Sequence, residues 1–256
     1  MPYATNGEVR VHYESEGDGL PVVMLHGALQ SLESWRVAGY TEAMRASHQL
    51  VLVDARGHGR SDKPHDLNAY LSDLMAEDVI AVLDQMRIAE AAFVGFSLGG
   101  DVGYRVAAKW PHRLTALAIG GAHPFGNETS DVMLRRLKAQ GIGALLEGRE
   151  ALDAREREII ASNDAEALIA CLQGQAASAS VAGSLSTLVC PTLLYVGASD
   201  RRADQMRQAA AILPNAELRI LPDVDHVGAF YRSELVIPIV RDFLNSISED
   251  SPTTAS

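Results

Sequence analysis

Ser97 stands between two glycines in Gly95-Phe96-Ser97-Leu98-Gly99, where a short apolar, β-prone run (91–94) meets a helix-like run that Pro111 ends. A serine on so sharp a turn has a strained backbone, and its hydroxyl is pushed clear of its surroundings. The flanking glycines let strand and helix approach more closely than a Cβ would allow. The chemistry on offer is nucleophilic attack. A pattern that fixes three positions recurs by chance, so its weight comes from lying between strand and helix and from partners elsewhere in the chain.

A serine hydroxyl is a poor nucleophile until an oriented base takes its proton. Of eight histidines, His226 lies in the loop Pro222-Asp223-Val224-Asp225-His226-Val227-Gly228, just after an apolar strand ending at Leu221. Ligands of open parallel sheets bind at the C-terminal strand ends, which puts His226 on the same edge as Ser97. The orienting carboxylate is assigned to Asp200, in Gly197-Ala198-Ser199-Asp200 after the strand 192–196. The corresponding loop Gly120-Gly121-Ala122-His123 holds no acid. Asp204 reads as a helix-capping residue, and Asp223 and Asp225 lie too close to His226 in sequence to orient it from behind. A developing oxyanion also needs donors. The backbone N–H groups of Leu98 and of Ala28, in His26-Gly27-Ala28, are the candidates, with His26 itself read as structural.

The elements that must position these groups alternate. Val9, Val11 and Tyr13 face one side of a first strand, with Glu8, Arg10, His12 and Glu14 on a wet face. Continuous apolar strands are expected at 21–25, 49–53, 91–94, 114–119, 192–196 and 217–221. Helices are expected at 34–47, 71–86, 99–110, 203–213 and 233–246, with a frayed polar tail at 249–256. This pattern predicts an α/β fold: a mostly parallel sheet with an antiparallel N-terminal edge and helices on both faces. Residues 123–186 break the rhythm with helical patterns only. They are expected to form a helical cap (lid), leaving 1–122 and 187–256 as the core. Met133, Leu134, Leu137, Leu145 and Leu146 are expected to give that cap an aliphatic ceiling.

Composition narrows the partners. The chain has 256 residues, 47% of them hydrophobic, and a formal net charge of −11. That charge argues against nucleic acid or an anionic membrane as the main partner and leaves a small-molecule substrate. No basic segment leads into an apolar run at the N-terminus, and no apolar stretch has the roughly 20 residues that span a bilayer, so a cytoplasmic, non-membrane protein is expected. Cys171 and Cys190 read as reduced structural thiols. Oligomeric state is not legible.

Taken together, His26-Gly27, the loop Asp54-Ala55-Arg56-Gly57-His58-Gly59-Arg60-Ser61-Asp62, Gly95 to Gly100, Gly197 to Asp200 and Asp225-His226 resemble the α/β-hydrolase fold superfamily over nearly the whole chain. The order serine, aspartate, histidine matches that superfamily. The resemblance implies a serine hydrolase that cleaves an ester, thioester or lactone through an acyl-enzyme on Ser97, with no metal or organic cofactor. It gives the 54–62 loop a structural role. A serine nucleophile sets the chain apart from the aspartate-nucleophile dehalogenases and epoxide hydrolases of this fold. Three alternatives share the framework: a carbon–carbon bond hydrolase of ring-cleavage products, a cofactor-free perhydrolase, and a weakly hydrolytic small-molecule sensor. Arg201 and Arg202 stand where many relatives carry proline or a small apolar residue. They read as a solvated loop more readily than as a site for an anionic group.

Overall fold

Apolar runs without a polar face need cover on both sides, and the protein places such runs next to one another in the middle of one sheet. The computed structural model describes residues 3–126, 131–149 and 152–250. Its strands are β1 (Tyr3–Asn6), β2 (Val9–Glu16), β3 (Leu20–Leu25), β4 (His48–Val53), β5 (Ala91–Phe96), β6 (Leu114–Gly120), β7 (Thr192–Gly197) and β8 (Ala216–Leu221). They form one sheet in the order β1-β2-β4-β3-β5-β6-β7-β8. The β1–β2 and β2–β4 pairs are antiparallel, and every later pair is parallel.

The helices are α1 (Leu32–Val37), α2 (Tyr40–Met44), α3 (Ser72–Gln85), α4 (Leu98–Lys109), α5 (Asp131–Gln140), α6 (Ala154–Ala161), α7 (Ala165–Ala177), α8 (Ala203–Ile212), α9 (Gly228–Tyr231) and α10 (Ser233–Asp250). Strand residues alternate between two cores, as a two-residue side-chain period requires. Val23, Leu25 and Phe93 join Val79 of α3, Val102 of α4 and Met206 of α8 on one face. Val22, Met24 and Val94 join Trp35 of α1, Met44 of α2 and Val240 of α10 on the other. The doubly covered parallel sheet with its antiparallel N-terminal edge is the architecture the sequence predicts.

Two local expectations fail and one strand goes unread, each for a physical reason. The helix expected at 34–47 is two short helices, because Gly39 sits at φ +83° between them and Ser31 starts the first one early with a capping box. β1 carries too few apolar residues to be seen from pattern; its pairing with residues 9–12 of β2 defines it. His12, expected on a wet face, is buried, because the loop after β4 folds across that face. Its backbone N–H donates to Ser61 Oγ at 2.8 Å, and its imidazole Nδ1 lies 2.9 Å from Asp54 Oδ2.

Between β6 and β7 the described residues contain helices and single 3-10 turns and no strand. Leu137, Leu145, Ile160, Leu168 and Leu172 of this segment cluster around Leu29 of the core. The two ends of the segment meet: the Val181 N–H and Ser180 Oγ both donate to the Pro124 carbonyl at 3.0 Å. α10 continues to Asp250, so residues 249 and 250 of the expected tail are helical, and residues 251–256 lie outside the described residues. Among the described residues no helix is long and apolar enough to cross a membrane. Cys171 and Cys190 are unpaired and buried, and burial pushes their thiols up to about 12 and about 11.

One close approach fixes where α4 begins. A Cβ on Gly99 would lie 2.0 Å from the Leu25 carbonyl oxygen and 2.9 Å from that of His26, both backbone atoms at the exit of β3. Neither can yield without moving a central strand. Gly99→Ala is therefore expected to destabilise the fold by at least about 3 kcal/mol in urea unfolding. Gly143→Ala, where a Cβ meets nothing within 4 Å, should stay within about 0.5 kcal/mol of the parent. Equal losses at the two positions would remove this explanation.

Candidate active site

The strand-to-helix turn predicted around Ser97 is present and strained. Ser97 has φ 53° and ψ −109°, a left-handed region that costs a non-glycine residue about 1–3 kcal/mol. Backbone hydrogen bonds on both sides hold it: Ser97 N–H to the Gly120 carbonyl at 2.8 Å, and Gly99 N–H to the His26 carbonyl at 3.1 Å. The Ser97 hydroxyl is thereby fixed at the C-terminal edge of the sheet, at the N-terminus of α4.

His226 and Asp200 converge on it from two neighbouring loops. The Asp200 loop is laced onto the His226 loop by Ala198 N–H to the Leu221 carbonyl at 2.8 Å and Ser199 N–H to the Val224 carbonyl at 2.9 Å. His226 Nε2 lies 3.0 Å from Ser97 Oγ, and His226 Nδ1 lies 2.6 Å from Asp200 Oδ2. Phe96 stacks on the imidazole, with ring centroids 5.1 Å apart. The acids set aside in the sequence are engaged elsewhere. Asp204 is exposed and pairs with Arg207 at 2.8 Å, and Asp225 Oδ1 accepts the Gly228 N–H at 2.7 Å.

Arg202 changes the electrostatics of this chain, and it is no solvated loop residue. Its backbone N–H and its Nη1 donate to Asp200 Oδ1 at 3.0 and 3.3 Å, and Nη1 also comes within 3.2 Å of His226 Nδ1. Burial opposes ionisation of Asp200, yet the His226 hydrogen bond and charge, with help from Arg202, hold its carboxyl below the usual range. His226 is pushed below its ordinary value of 6.5, chiefly by burial; Arg202 adds to the shift and Asp200 opposes it. An imidazole with Nδ1–H donated to Asp200 leaves Nε2 free to accept the Ser97 proton.

The two backbone N–H groups read from the sequence lie on either side of the turn. Ala28 and Ser97 line a shared cavity, and among the described residues neither the Ala28 N–H nor the Leu98 N–H has a protein acceptor. The other motif histidines are structural. His26 Nδ1 donates to the Gly27 carbonyl at 2.8 Å while its Nε2 accepts the Ala55 N–H at 3.1 Å. His58 is fully buried and depressed to about 3, first by burial and then by the neighbouring His26. Asp54 accepts from Leu32 N–H at 2.8 Å and Arg60 N–H at 2.9 Å, tying its loop to α1.

Sequence reasoning missed a hydrogen-bond chain that reaches the Gly27-Ala28 loop. Gly27 N–H donates to Gln30 Oε1 at 2.8 Å, Gln30 Nε2 donates to Tyr231 Oη at 3.0 Å, and Tyr231 Oη donates to Glu156 Oε1 on α6. Ser34 Oγ donates to the same Glu156 oxygen at 2.9 Å. Glu156 is fully buried, which raises its carboxyl, whereas its sequence neighbourhood, Ala-Arg-Glu-Arg-Glu, reads as a solvated helix face. No local signal marks it. The cavity beside Ser97 measures about 240 Å³ and is also lined by Met133, Arg149, Ile160 and Tyr231. Of the five residues expected as an aliphatic ceiling, only Met133 reaches it. Leu137 and Leu145 are used in packing the helices on one another.

Comparison with known proteins identifies the family. Residues 21–158 match the family model described as the alpha/beta hydrolase fold, more than half of the chain, and the protein belongs to that family. A Bacillus subtilis (strain 168) protein provisionally named 2-succinyl-6-hydroxy-2,4-cyclohexadiene-1-carboxylate synthase is 25% identical, over 88% of this chain and 90% of its own. The structure of Est816, described as an N-acyl homoserine lactone degrading enzyme, is 29% identical with a TM-score of 0.77, covering 94% of this chain and all of its own. The enol-lactonase of Burkholderia xenovorans LB400 has a TM-score of 0.85 at 23% identity, over 95% of this chain and 100% of its own, a likeness of fold.

Because burial and Arg202 both disfavour the imidazolium, His226 is expected to be neutral at and above pH 6.5, and to gain its proton only below that value. NMR titration of the imidazole nitrogens should give a midpoint below 6.5 in the parent protein. The midpoint should rise in Arg202→Ala, since one positive charge beside the ring is gone. A midpoint unchanged or lowered by that substitution would contradict the assignment.

Proposed function

We propose that the protein is a serine hydrolase of small esters, thioesters or lactones, acting through an acyl-enzyme on Ser97. The observation that carries this reading is the continuous chain from Asp200 through His226 to Ser97 Oγ, ending at a hydroxyl held on a strained turn. Ser97 Oγ attacks the carbonyl carbon as His226 Nε2 takes the hydroxyl proton, and Asp200 stabilises the imidazolium. The Leu98 and Ala28 N–H groups receive the oxyanion, each worth about 10²- to 10³-fold in rate. The imidazolium then protonates the leaving oxygen or sulfur, and the intermediate collapses to the acyl-enzyme. A water that gives its proton to His226 attacks the acyl carbon, and collapse of the second tetrahedral intermediate returns the proton to Ser97.

The size of the cavity, about 240 Å³ beside Ser97, supports a small substrate. The relatives named for lactone degradation support ester and lactone carbonyls as targets. The helices between β6 and β7 serve in this reading as a cap, whose Met133 and Ile160 face the reacting centre.

A fluorophosphonate probe should label the wild-type protein and leave Ser97→Ala unlabelled, and turnover of 4-nitrophenyl butyrate should fall at least about 10⁴-fold in that variant. Equal labelling of the two proteins overturns the nucleophile. Turnover of a ring-cleavage dienoate with none of any ester would favour carbon–carbon hydrolysis, and release of a single equivalent from every substrate would favour a sensor.

A further inference from the structure

The chain carries 33 acidic and 22 basic residues, yet the described residues lining the cavity beside Ser97 include Arg149, Arg201 and Arg202 and no Asp or Glu. A second cavity, of about 590 Å³, shares Arg201 and Arg202 with the first. Its described lining adds His123, Ser178, Ser180 and Gln205, again without an acid. In so acidic a protein, a charge-selected chamber at the nucleophile is a local departure that solubility does not require.

The three arginines differ in what occupies them. Arg202 is spent on Asp200. Arg201 and Arg149 have no ion pair among the described residues. Glu156 is near enough to Arg149 to feel its charge, but its carboxylate is turned onto Ser34 and Tyr231. The positive field is felt by the histidines: Arg202 and Arg201 both disfavour protonation of His123 and His226, in addition to burial. A guanidinium presents a planar fork of donors that fits a carboxylate, and such charge-assisted pairs are the strong ones.

We propose that the substrate carries a free carboxylate, received by Arg201 at the junction of the two cavities with Arg149 as the second cation, while its scissile carbonyl lies at Ser97. This rests on the hydrolase reading for the carbonyl, but the carboxylate site stands on the arginines alone. The field would also draw an anionic substrate into a molecule that otherwise repels it. It predicts a preference that weakens with salt, because Arg201 is exposed at the mouth.

The test pairs 4-nitrophenyl hydrogen adipate with 4-nitrophenyl hexanoate, which differ in a terminal carboxylate replacing a methyl. The wild type should favour the adipate ester in kcat/KM by about tenfold to a hundredfold. Arg201→Ala should cut that ratio by about tenfold or more, mainly through KM. In parallel, free adipate and inorganic phosphate are titrated calorimetrically into Ser97→Ala and into the Ser97→Ala, Arg201→Ala double variant. Adipate binding lost in the double variant supports the site even if neither ester turns over, an outcome that would sink the hydrolase reading alone. Hexanoate turnover without preference for adipate, or a ratio indifferent to both Arg201→Ala and Arg149→Ala, overturns the carboxylate site and leaves the hydrolase reading standing. Binding of phosphate in preference to adipate overturns the choice of carboxylate.

Discussion

The approach of α4 to the end of β3 is the constraint on which the rest of the site depends. Because Gly99 lies against the Leu25 and His26 carbonyls, α4 must start one residue after the sheet ends, and Ser97 must absorb the whole change of direction. The same contact ties the first turn of α4 to the Gly27-Ala28 loop, since the Gly99 N–H donates to the carbonyl of His26, which leads that loop. Ser97 and the Gly27-Ala28 loop are therefore positioned by one piece of backbone packing. The strain of about 1–3 kcal/mol at Ser97 is sustained because the first turn of α4 and the ends of β3 and β6 are all buried around it.

A second layer of control is electrostatic. Asp200 divides its two oxygens between His226 and Arg202, so one buried carboxylate faces both an imidazole and a permanent cation. Arg202 helps His226 hold Asp200 below the usual carboxyl range and at the same time resists formation of the imidazolium. The result is an imidazole whose neutral form is favoured and which has a countercharge 2.6 Å away. Both arginines following Asp200 come from the loop that ends β7, so the positive charge lining the cavity and the carboxylate facing His226 share a single turn of chain.

The sequence made the sheet legible because buried parallel strands are continuous apolar runs, and the site legible because its groups must sit at consecutive strand ends. Ser97, His226 and Asp200 are within hydrogen-bond reach of one another as that logic requires. What was not legible depends on contacts distant in sequence. His12 is buried by a loop some 50 residues on, which no alternation pattern encodes. Glu156 reads as a surface residue until Tyr231 and Ser34 are seen against it. Arg202 read as solvated because nothing local tells whether a charged loop residue folds back onto its neighbour's carboxylate. The ceiling failed for a related reason: apolar helix residues serve their own packing first, and the cavity is left to Met133 and Ile160.

The junction at Pro124 and Val181 has a wider consequence. All the helices between β6 and β7 leave and re-enter the core at a single doubly hydrogen-bonded point. Whatever chain hangs between those two residues, the sheet and the loops bearing Ser97, Asp200 and His226 see the same pair of anchors. Between those anchors the segment is also keyed to the core along its length: Ala167, Ala170 and Cys171 of α7 join the core on one face of the sheet, and Asn163 Nδ2 donates to the Leu29 carbonyl at 2.8 Å. Glu156 adds a polar link, its buried carboxylate reaching back through Tyr231 and Gln30 to the Gly27 N–H. A transplanted segment would have to reproduce both the apolar contacts and that acid, or leave the loop beside Ser97 without its brace.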